Sequence, residues 1–232
     1  MAEKLKSISR QIHWSLLLRA ALFALAWFFL PFWLFLLVAL YLYLIPFFNS
    51  RRLFWPFFAL LVLTYLEPGN LVYLIFFAAF FYYLLLIKNL LLIDRKSAYE
   101  LLVLALSFFL IRSFYEQLGT GLLTAASLWY GFLLAVLIGF LVGSFIRYFS
   151  ENAGKDPVRR LSAWLVFILV WQFLSLGLFL PLDFVYQSAV VFLASVLVID
   201  LVPEHSSERS WTVGATVCLL LVIVVLSAHW GL

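Results

Sequence analysis

Arg112 and Glu116 stand four residues apart in a stretch otherwise dominated by Leu, Ile and Phe. That spacing puts both on one helix face, about 6 Å apart along the axis and within pairing reach. Gln187 follows Asp183 at the same interval, Gln172 lies inside another apolar run, and Glu67 opens the segment Glu67-Pro68-Gly69-Asn70. Charged groups in apolar surroundings are costly unless paired or wetted. The six residues Glu67, Arg112, Glu116, Gln172, Asp183 and Gln187 therefore point to a polar cavity. The competing reading is that they are turn residues and helix-end anchors. Two of the carboxylates, Glu116 and Asp183, are of the type that performs general acid and base work.

Other catalytic chemistry finds little material. The chain holds one Cys, one Met and three His, too few for a disulfide framework or a Cys/His metal cage, so no metal or cofactor is expected. His13 and His205 fall on one side of the expected topology and His229 on the other. Cys218 lies in the middle of an apolar run, and Ser227 is the one span serine near a His, which is weak material for a nucleophile and its base. Gly119-Thr120-Gly121 lacks the lysine and the further glycines of a phosphate loop and reads as a turn.

Residues 115–123 read Tyr-Glu-Gln-Leu-Gly-Thr-Gly-Leu-Leu, and further on Phe140 precedes Ser144 by four residues. This layout is similar to the glutamate motif and the Phe-x-x-x-His motif of the CAAX-processing and bacteriocin-processing intramembrane proteases. The likeness covers a small part of the chain. Tyr115 stands where the family has its first Glu, Thr120 where it has Arg and Ser144 where it has His. The second His has no counterpart, Trp171 being nearest by spacing. The resemblance thus implies an intramembrane enzyme, or a relative of such enzymes that has lost its catalytic groups.

The elements that must position these residues are set by composition. Of 232 residues 67% are apolar and 11% charged, against roughly half and a quarter in a soluble domain. Residues 14–48 contain one charged residue, Arg19. As one helix they would be about 52 Å long, in a hydrocarbon core of about 30 Å, so the segment must fold back, and Pro31 is the natural breaker. The same reasoning along the chain predicts an all-α transmembrane bundle, a single integral membrane domain of about nine spans near residues 14–30, 32–48, 53–66, 71–93, 101–115, 122–149, 161–180, 184–199 and 211–230. Lys4, Lys6 and Arg10 ahead of the first run resemble a signal peptide, but Trp27-Phe28-Phe29-Leu30 follows the Ala24-Leu25-Ala26 triplet, so an uncleaved first span is expected.

Charge orients the bundle. With the N-terminus inside and the C-terminus outside, every Lys and Arg except Arg112 falls on the inner side, whereas Glu67, Glu116 and Asp183 are the acids on the outer side. Arg19, Lys88 and Arg147 lie about one turn inside the inner boundary and are expected to snorkel toward it. Ser127, Gly131, Ala135, Gly139 and Gly143 recur every four residues. They form a ridge that lets another helix approach, either within the chain or from another membrane subunit or a second copy. The basic residues are dispersed between apolar runs, so the lipid bilayer is the expected partner and nucleic acid is not. The expectation is a protein of a bacterial or archaeal cytoplasmic membrane: an accessory subunit of a membrane assembly, or a solute-binding or transport component. The alternative is an intramembrane enzyme acting on lipid or peptide at the outer leaflet.

Overall fold

Proline decides where the first two helices separate. A computed structural model describes residues 14–45, 53–67, 71–89, 95–118, 125–149, 157–180, 182–201 and 220. In it α1 (Trp14–Phe29) closes with the Leu30 amide on the Ala26 carbonyl, and α2 (Phe32–Leu44) opens behind an extended Pro31 at φ −60°, ψ 148°. Pro56 sits in the first turn of α3 (Phe54–Leu66), where no intrahelical amide is needed. α4 (Leu71–Lys88), α5 (Arg95–Leu118), α6 (Ala125–Phe149), α7 (Pro157–Gly177) and α8 (Phe184–Leu201) follow. Pro157 occupies the first position of α7, which its fixed φ favours. The described residues are thus all-α, with eight helices and no strand.

The chain divides into two compact units, Met1–Leu102 and Val103–Leu232, with the division inside α5. In the first unit α1 packs on α2 and α4, and α3 packs on α2 and α4. Its helices run alternately up and down. At one end the Trp27 indole N–H donates to the Thr64 carbonyl at 2.9 Å, and Phe32 meets Tyr65. At the other end the final turns of α2 and α4 meet the start of α1. A run of rings fills the centre: Tyr43 stacks on Phe57 at 4.1 Å, Phe23 on Phe81 at 4.2 Å, and Phe57 and Phe35 close the chain against Phe81 and Phe23. Such pairs each add about 0.5–1.5 kcal/mol beyond area burial.

In the second unit α7 packs on α6 and on α8. Val166, Val170 and Leu174, one row of α7 at intervals of four, are fully buried, as are Ala135, Ile138, Leu141 and Val142 of α6. Phe132 lies edge-on to Phe167 and Trp171, and Phe108 of α5 lies edge-on to Phe192 of α8.

Among the described residues two helices, Leu71–Lys88 and Lys96–Leu118, are long and apolar enough to cross a membrane; α1, α2 and α3, of 16, 13 and 13 residues, are shorter. Several helix ends depart from the expected spans. α2 stops at Leu44 where the expected span ran to 48, because the Ile45 amide closes the last turn on Tyr41 in an extended conformation. α4 stops at Lys88 where the expected span ran to 93. α5 departs the other way: it begins at Arg95, six residues before the expected 101, since polarity marks a membrane boundary and a helix needs only favourable backbone geometry. α7 starts four residues earlier than expected and ends at Gly177, three earlier. The expected span at 211–230 lies outside the described residues, apart from Leu220.

Candidate functional site

Five of the six polar residues sit toward one end of the second unit. The Tyr115 hydroxyl of α5 donates to the Leu174 carbonyl of α7 at 2.9 Å. Gly177 brings α7 against both Tyr115 and Val191 of α8, and Phe114 meets Tyr130 near the start of α6. The last turns of α5 and α7 and the first turns of α6 and α8 therefore share that end. Arg112 and Glu116 lie in the closing turns of α5 and Gln172 in those of α7, while Asp183 directly precedes α8 and Gln187 is in its first turn. Glu67 belongs to the first unit, where its amide donates to Leu63 and ends α3.

The structure joins Arg112 to Glu116, Nε to Oε2, at 3.7 Å. This is an ion pair without a hydrogen bond, and both side chains are partly exposed. Gln187 is used locally: its side-chain amide donates to the Leu180 carbonyl at 2.9 Å, and its own backbone amide to Asp183 at 2.9 Å, which fixes the turn between α7 and α8. Gln172, Asp183 and Glu116 are exposed. The buried donors of this unit without a hydrogen-bond partner include Arg112 Nε, the Ser113 hydroxyl and, one turn before Leu174, Trp171 Nε1. Among the described residues no three His, Cys, Asp or Glu side chains gather as a metal site would require.

Two residues of the protease-like layout, Tyr115 and Ser144, are engaged inside the fold, while Glu116 and Phe140 are exposed. Tyr115 is buried and bonded to Leu174, and the Ser144 hydroxyl donates at 2.7 Å to Leu141 in its own helix. Thr120 lies outside the described residues. No protein-family model, curated protein or solved structure matches the chain.

The small-residue ridge is turned at least partly inward. A methyl group at Gly131 would stand 3.2 Å from the Phe114 ring, Ala135 is fully buried and Gly139 is buried, while Gly143 is half-buried. The side chain of Ser127 lies outside the described set.

Sequence reasoning missed the use of two cations in the first unit. Lys88 does not snorkel: it is fully buried, donates to the Tyr43 carbonyl and lies 4.6 Å from the centre of the Tyr43 ring. Arg19 donates to the Ile45 carbonyl. Both cap the same helix end, where the last carbonyls of α2 lack intrahelical donors. No local pattern announces this, because the partners are 45 and 26 residues away.

Proposed function

We propose that the chain is a polytopic integral membrane protein, crossing about nine times with its N-terminus inside and its C-terminus outside. In this reading it works without catalysis, as an accessory subunit of a membrane assembly or a solute-binding or transport component. One observation carries the membrane assignment: both units are apolar outside as well as inside. Trp33 is 79% and Trp129 67% exposed, in company with Phe29, Ile75, Trp164 and Phe179, while the interiors are themselves built of Phe, Leu and Val. Water tolerates scattered exposed apolar residues but not whole helices of them. Hydrocarbon does.

Helix length is compatible with this reading. A 13-residue helix such as α2 or α3 rises only about 20 Å, and such a shortfall is met by local thinning of the bilayer and by flanking residues reaching the interface. The function is assigned to the polar end of the second unit. The Arg112–Glu116 pair is partly exposed there, as are Gln172 and Asp183, which offers polar groups to a solute or to a partner helix.

The test is fractionation followed by mild solubilisation. The protein should stay in the membrane pellet through alkaline carbonate and leave it only with detergent; release by carbonate alone would refute the assignment. A stoichiometric membrane partner that is retained by the wild type and lost from Gln172→Leu would identify the subunit role.

A further inference from the structure

We infer, on the membrane reading above, that the first unit is fitted to a hydrocarbon layer about 20 Å thick and thins a bilayer of ordinary thickness, about 30 Å, around itself. α2 and α3 have 13 residues each, and both ends of both are fixed. Pro31 and Ile45 bound α2 in extended conformation, and Leu53 and Glu67 bound α3 with non-helical backbone angles. Each helix therefore rises about 20 Å and no more.

Two short helices could still cover a thicker layer by standing staggered. These two are level. Phe32 at the start of α2 meets Tyr65 at the end of α3 at 5.0 Å, and Tyr43 at the end of α2 stacks at 4.1 Å on Phe57 in the first turn of α3. α1 ends at the same level, because the Trp27 indole in its last turn reaches the Thr64 carbonyl near the end of α3. α4 is longer, with 18 residues, and its excess includes the Lys88 end. Since Phe81 lies against Phe57, Lys88 stands about 6 Å, or one turn, beyond the start of α3.

Charge marks both faces of this layer. At one face the Arg19 guanidinium donates to the Ile45 carbonyl, directly after α2. At the other Glu67 directly follows α3, level with the turn at Leu30 and Pro31. A layer of about 30 Å placed over the unit would take in one face, the other, or part of both. It would then hold a guanidinium, a carboxylate or non-helical backbone in hydrocarbon, where each is costly. Exposed Trp33 and Tyr65 lie toward the Glu67 face and exposed Trp14 and Tyr41 toward the Arg19 face, as amphipathic rings do at a membrane boundary. Leu22, Leu25 and Leu37 are exposed between them. The thinned layer shortens the hydrocarbon path that a polar solute must cross, which is its consequence for the function proposed above.

The experiment uses the full chain in a Cys218→Ser background, reconstituted in dioleoyl phosphatidylcholine bilayers. Trp33→Cys, Leu37→Cys and Tyr41→Cys, at exposed positions spaced by four along α2, each carry a nitroxide label. Its depth is read from collisions with oxygen and with a water-soluble nickel chelate. Positions 33 and 41 are about 12 Å apart along the helix. In the thinned layer both labels should lie about 4 Å inside the hydrocarbon boundary and the label at 37 about 10 Å inside, against about 9 Å and 15 Å in an undisturbed layer. The same depths should recur in dimyristoleoyl phosphatidylcholine, whose own hydrocarbon layer is thin. Depths of about 9 Å and 15 Å in the dioleoyl lipid would overturn the fit. So would one shallow depth at all three positions, the pattern of a helix lying on the surface. Release of the unlabelled protein by alkaline carbonate would instead sink the membrane reading, so the two failures are distinguishable.

Discussion

The Tyr115 hydroxyl caps the Leu174 carbonyl across 2.9 Å, and Gly177 lies directly against that same hydroxyl. Leu174 is among the last four residues of α7, whose carbonyls have no donors within the helix. A methyl group at Gly177 would overlap the Tyr115 oxygen and stand 2.7 Å from Val191. Gly177→Ala should therefore lower stability by about 1–3 kcal/mol, as overpacking does, and Tyr115→Phe by about 1 kcal/mol. Thermal melts in detergent should show the double variant to be more stable than the sum predicts, since removing the hydroxyl makes room for the methyl. Strict additivity would mean that the two do not touch.

Gly131 tests the ridge. Its neighbour Phe114 is buried and can yield little. Gly131→Leu should cost at least the 1–3 kcal/mol typical of overpacking, while Leu137→Ile should cost under about 1.5 kcal/mol as a volume-conserving exchange. Comparable melting temperatures for the two would show the ridge to be incidental.

The Arg112 and Glu116 side chains are 37% and 39% exposed, so their pair should contribute about 1 kcal/mol or less. A double-mutant cycle on Arg112→Ala and Glu116→Ala measures it. A coupling of 3 kcal/mol or more, at the level of a buried pair, would place the pair behind a covering that the described residues do not provide.

The proposed orientation rests on the distribution of basic residues. In a Cys218→Ser background, cysteines introduced between residues 150 and 160 should resist an impermeant thiol reagent applied outside and react after permeabilisation. Labelling in intact cells would reverse the topology.

Hydrophobic runs made much of the helix placement legible, because Pro31 and the polar turns interrupt the chain where helices must end. The helix starts at Trp14, Phe32 and Phe184 coincide with the expected ones. Polarity misplaced the start of α5, since Arg95, Lys96, Ser97 and Glu100 are polar yet helical. The Arg112–Glu116 pair was legible because it is local. The bonds of Lys88 to Tyr43, Arg19 to Ile45 and Tyr115 to Leu174 were not, because each joins residues on different helices and leaves no periodic trace. Glu67 belongs to the first unit and the other five polar residues to the second.

The ring stack from Tyr43 through Phe57 and Phe81 to Phe23 has a calorimetric consequence. In a bilayer, pulling these helices apart would move the rings from neighbouring rings to acyl chains and expose little apolar surface to water. The large positive heat capacity of unfolding in soluble domains comes from such exposure, and here it is absent. Separation of the first unit in lipid should therefore show a heat-capacity change near zero, with stability falling almost linearly as temperature rises and no loss of structure on cooling.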